Sequence, residues 1–240
     1  MMDYPPKPPE ALMRAIAQDL RPVRPSPQPF HLALRMVPVA LLVSSLILVA
    51  IGPRHDLGIL GPLLTWRASA LQFALAIAFV WIAAHESTPA ARLPRRVVYS
   101  AVAAAFLVVV FVPLLTFSTS PAAEPLLRVP QRVNEMLRDS PWIMGFACGI
   151  GSTLAGGILV LLFSWVYRNS LATRPTMAGA LYGVGAGLAI NAGWRIACPI
   201  STLGHALGGH GTAIIATVIL GALIGRFLGN RRLHIGGRRF

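Results

Sequence analysis

Six blocks of about 20 predominantly apolar residues divide this chain, at 33–51, 63–84, 96–117, 142–167, 176–194 and 207–228. A helix of about 20 such residues crosses a hydrocarbon core of roughly 30 Å. The pattern predicts an all-α bundle of six transmembrane helices. Ahead of the first block the period changes. Leu12, Ile16 and Leu20 fall at i, i+4 and i+8 and form one apolar stripe, while Arg14 and Asp19 lie off it. Pro8 and Pro9 precede the stripe, and proline favours the first position of a helix. A helix of about 12 residues is marginal alone in water. It is therefore expected to fold against something, either the lipid interface or a docked protein. The "RPVRPSPQP" that follows reads as a semi-rigid spacer.

Composition agrees with the block pattern. The chain is 55% hydrophobic and 12% charged, whereas soluble domains are about 45–50% apolar and about 25% charged. Prolines and charges in the first 32 residues interrupt any signal-peptide core, so the first span is expected to be retained. With the N-terminus placed inside, 15 of the 21 basic residues fall on inner segments, which is the positive-inside arrangement. Both termini are thus expected in the cytoplasm. The formal charge of +13 could suggest nucleic acid. The arginines flank spans and are not interleaved with base-stacking aromatics, so lipid headgroups are the expected counter-charge. Trp66, Trp142 and Trp194 fall near outer span ends, and Trp81 and Trp165 near inner ones, as interfacial anchors do.

The two halves of the chain differ in glycine. Of 22 glycines, only Gly52, Gly58 and Gly61 precede residue 141. The later spans carry Gly145-x-x-x-Gly149, Gly179-x-x-x-Gly183-x-x-x-Gly187 and Gly221-x-x-x-Gly225. Small residues four apart let helix backbones approach closely, so a tight C-terminal bundle is expected. The only two cysteines also lie there. Cys148 sits roughly 9 Å below the outer start of span four at 1.5 Å per residue. Cys198 follows span five, and His205 and His210 precede span six, all on the outer side. The cysteines could be packing filler, a disulfide, or thiols that take a soft metal such as zinc, cadmium or copper(I). Residues five apart do not share one α-helical face, so the sequence rests the metal reading on Cys148 and Cys198, with the histidines beside them. Arg195 stands three residues before Cys198 and could favour a thiolate.

Together these features resemble the NrsF-type membrane anti-sigma factors. The resemblance runs from about residue 9 to 227. It is carried by "LMRAIAQDLRPV", the six spans, "CPISTLGH" after span five, and the cysteine in span four. It implies a negative regulator that holds an extracytoplasmic-function sigma factor inactive at the bacterial inner membrane. It also implies release of that partner under heavy-metal or oxidative stress through Cys148 and Cys198. On this reading residues 1–32 are the docking segment, 33–228 the membrane domain and 229–240 a basic cytoplasmic tail. No cofactor is obligatory, and a transient heavy-metal ion is the expected ligand.

Other classes fit less well. A coupled transporter needs ionisable groups deep in its spans, and the eight acidic residues lie in tails, loops or span ends. A thiol oxidoreductase relay needs a Cys-x-x-Cys or a second cysteine pair. "AAHEST" lacks the second histidine of a zinc protease. No serine elbow or phosphate loop is present, and the chain is not read as an enzyme. The outer loop "STSPAAEPLLRVPQRVNEMLRDSP" is expected to lie on the lipid surface or over the thiols.

Overall fold

The structure, a computed structural model, describes residues 8–19, 28–54, 56–88, 92–119, 141–168 and 174–236. Leu20, the proline-rich spacer at 21–27, the outer loop at 120–140 and the end of the tail lie outside them. Every described element is helical. Helix α1 spans Glu10–Asp19, directly after Pro9. Five helices are long and apolar enough to cross a membrane. They are α2 (Pro29–Ile51), α3 (Leu57–Glu86), α4 (Arg95–Thr119), the apolar length of α5 (Pro141–Tyr167), and α7. In α7 a π-helical segment, Gly204–Gly211, runs straight into the α-helical Thr212–Gly236.

The sixth expected span, α6 (Pro175–Ala197), has the length, 23 residues, but is not among those five. Its glycines, Asn191 and Arg195 lower its hydropathy, and the reason lies in its position. Of its 23 residues, 15 are buried, and α2, α3, α5 and α7 all pack on it. A helix shielded by protein on most of its circumference has little need of lipid-compatible side chains. The outward faces of the other helices carry that chemistry, with Leu42, Phe106, Leu154, Trp165 and Leu223 all exposed.

Glycine sets the packing. Gly179 meets Gly221, Gly183 meets Thr217, and Gly187 meets Ile214. One number rises as the other falls, so α6 and α7 are antiparallel with backbone against backbone. Gly149 faces Gly209 and Gly156 faces Thr217, and here the numbers rise together, so α5 and α7 run parallel. Val80 packs on Gly185 while Leu64 meets Arg195, which makes α3 antiparallel to α6. The Ser44 hydroxyl donates to the Ala189 carbonyl at 2.9 Å and ties α2 to the same axis. Helices α3, α5 and α7 therefore run one way and α6 the other. The tight C-terminal bundle expected from the glycine spacing is present.

One end of the bundle is fastened by a buried ion pair that charge counting along the sequence did not single out. Gly52, at φ +88°, ends α2 in a conformation that suits glycine. The turn delivers Arg54 inward, where Arg54 and Asp56 are 6% and 3% exposed. The guanidinium pairs with both Asp56 oxygens and also donates to Pro199 O at 3.1 Å and Ser201 Oγ at 2.8 Å. The Arg54 amide donates to Ile196 O at 2.8 Å. The α2–α3 turn thus clamps the segment that begins with Cys198. At the opposite end Tyr167 stacks on Tyr182 with ring centroids 4.5 Å apart.

Three substitutions test this packing. Gly183→Ala places a methyl group against the Thr217 carbonyl and Val218, so it should destabilise the bundle by about 1–3 kcal/mol. Gly58→Ala, which meets open space, should change the unfolding midpoint in detergent little. Asp56→Asn strands the Arg54 charge and should cost about 3–5 kcal/mol. Faster maleimide labelling of Cys198 should accompany that loss as its segment comes free.

Candidate functional site: a thiol–imidazole cluster

Three elements converge beside the Arg54 clamp. Helix α5 contributes Cys148 and Ser152, the segment after α6 contributes Cys198, and the π-helical start of α7 contributes His205 and His210. Both cysteines are reduced and 4% exposed, and the histidines are 5% and 7% exposed. One ligand atom from each of these four residues lies within 4.8 Å of every other. The depth match expected from topology is therefore a true juxtaposition.

Glycine makes the approach possible. Gly145 and Gly149 flank Cys148 on the face of α5 turned to α7. A Cβ at Gly209 would come within 2.9 Å of the Gly145 carbonyl, and one at Gly149 within 3.2 Å of the Gly209 carbonyl. Side chains at these positions would push the helices apart and carry the thiol away from the imidazoles.

The histidines correct the sequence expectation. Five residues apart, they would diverge on an α-helix. In the π-helical Gly204–Gly211 the backbone bonds run from i to i+5, so residues five apart stack on one face. The two rings lie 5.0 Å apart, edge to face. Four glycines in this eight-residue segment ("GHALGGHG") were the available signal. His205 and His210 thus join Cys148 and Cys198 as equal members of the cluster.

Each group is held in a defined orientation. His205 Nε2 is 3.2 Å from Cys198 Sγ. His210 Nδ1 is 3.1 Å from Ser152 Oγ, which leaves its Nε2 for another partner. Contact with Cys148 is the largest influence on the Cys198 thiol and lowers its pKa. Burial opposes this shift, and His205 and His210 reinforce it. Arg195 directs Nη2 to the Leu64 carbonyl at 2.7 Å and to Thr116 Oγ1 at 3.3 Å, so it links α6 to α3 and α4. Trp194 is not the interfacial anchor its sequence position suggested. It is 8% exposed and packs on His210 at 5.6 Å, because the glycine-lined neighbours leave room for an indole inside the bundle.

Two thiols and two imidazoles at this spacing make a four-donor set of the kind that tetrahedral zinc sites use. The stripe on α1 looks different. Leu12 is 50% and Ile16 48% exposed, and every described side chain from 8 to 18 is exposed. The stripe expected on α1 is open, while Leu20 lies outside the described residues.

No curated protein and no solved structure matches the chain. A family profile, NrsF, "Negative regulator of sigma F", matches residues 16–229. The match begins at Ile16, so Leu12 and the start of α1 precede it, and it takes in both cysteines and both histidines. Covering nearly the whole chain, it shows that this protein belongs to the NrsF family of negative regulators of a sigma factor.

Proposed function

We propose that the chain is a multi-pass protein of the bacterial inner membrane that holds an extracytoplasmic-function sigma factor inactive. It releases that partner when Cys148 and Cys198, with His205 and His210, take up a soft metal ion or are oxidised. The observation that carries this reading is the convergence of the four donor atoms within 4.8 Å. Thiolate and imidazole together suit zinc, cadmium and copper(I). Ser152 would hold the His210 ring from behind, as outer partners of metal-bound histidines do. The basic inner segments support a cytoplasmic position for both termini and a periplasmic one for the cluster.

On this reading residues 1–32 dock the sigma factor, 33–228 form the membrane domain, and 229–240 are a basic tail near anionic lipid. The exposed face of α1, with Leu12 and Ile16, supports docking by an amphipathic helix. The signal has a physical route. A ligand that draws Cys148 toward His205 and His210 acts on α5 and α7, which run in parallel to the far end of the bundle. Packed helices shift between discrete arrangements, and the ligand moves that balance only by binding one arrangement better.

Titrating the reduced protein in detergent with cadmium should give one ion per chain and a thiolate-to-metal charge-transfer band. Cys148→Ser or Cys198→Ser should remove the band, and Ser152→Ala should weaken binding about tenfold. In cells the double serine variant should still repress and no longer respond to cadmium or dichromate. A double variant that responds normally overturns the sensor reading. Ile16→Asp should abolish co-purification of the sigma factor while leaving cadmium uptake intact, which tests the docking assignment separately.

A further inference from the structure

Beside the cluster lies a small chamber that the metal reading does not use. It has a volume of about 40 Å³ and is lined in part by Asn191, Trp194, Arg195, Ser201, Cys198 and His210. Arg54 also borders it, but that charge is matched by Asp56. Arg195 is different. Its Nη2 bonds are to a carbonyl and a hydroxyl, both neutral. Its buried Nε–H has no acceptor, and neither does the indole N–H of Trp194. Among the described residues no carboxylate pairs with Arg195.

Guanidinium and indole groups are donors only, so two unused buried donors beside an unmatched charge call for an acceptor that is itself negative. Water satisfies an N–H but leaves the charge uncompensated where the dielectric is low. Size narrows the choice. One water needs ~10–15 Å³ on this measure, so a chamber of about 40 Å³ suits a small inorganic anion with little hydration and is too small for a whole nucleotide.

We propose that this chamber binds a small inorganic anion of halide size, held by Arg195 and Trp194 against the wall that Cys198 and His210 share with the metal-ligating cluster. The anion supplies the charge that Arg195 lacks and ties the end of α6 to α3 and α4 through the same guanidinium. The site stands apart from the metal reading and does not need it. If both sites fill, cation and anion share Cys198 and His210 as neighbours, and each raises the affinity for the other by the same factor.

The test is chloride NMR line broadening on the full-length, metal-free protein in detergent, with ionic strength held constant by gluconate. The wild type should show excess broadening that saturates with chloride and is displaced by bromide. Arg195→Gln should weaken this binding by about tenfold or more, and Trp194→Phe, which keeps the ring and removes one donor, by a smaller factor. A normal cadmium titration of Arg195→Gln in halide-free gluconate, where the anion site is empty in both proteins, would confirm an intact thiol site, and Trp194→Phe serves if that variant does not fold. Broadening that never saturates in the wild type, or that saturates identically in both variants, overturns the proposal.

Discussion

Helices in lipid gain little from burying apolar side chains against one another, because the tails outside are equally apolar. What holds this bundle is the close approach of backbones along α6, where Gly179 and Gly183 lie directly on the α7 backbone and Gly187 against Ile214 and the Thr217 hydroxyl. Every other feature of the C-terminal half inherits its position from that contact. With α7 fixed against α6, its π-helical start reaches over the end of α6 toward α5. The second glycine pair, Gly145 and Gly149, then lets α5 close on it. The thiols and imidazoles meet because these two glycine seams share one helix.

Much of this was visible in the sequence, and the failures have specific causes. Block hydropathy located all six long helices, missing their ends by up to eight residues, since apolar length is what a span requires. Glycine spacing indicated which half would pack tightly. The same approach misjudged the surroundings of α6, because a moderately apolar run looks similar whether lipid or protein covers it. Trp194 misled for a related reason, as an aromatic near a span end is usually interfacial and here has been drawn inside.

The candidate site divides along the same line. Matched depth predicted that Cys148 and Cys198 would lie near each other. The role of His205 and His210 was hidden because helical periodicity was assumed to be 3.6, and only the wider turn brings positions five apart into register. Arg54 is simply one of the basic residues that fall outside the inner segments. Nothing in a charge tally indicates that Gly52 turns it inward onto Asp56, Pro199 and Ser201. Ionic contacts between distant segments are a property of the folded chain, and sequence pattern reports them poorly.

The modest apolarity of α6 has a consequence for how the protein is made. A segment carrying glycines, an asparagine and an arginine partitions weakly into a bilayer by itself, and α6 leaves the ribosome before the helix that covers its glycine face. Its residence in the membrane therefore rests on protein contacts, with α2, α3 and α5 made before it and the glycine face covered only when α7 follows. A chain truncated between α6 and α7 would leave that glycine face uncovered.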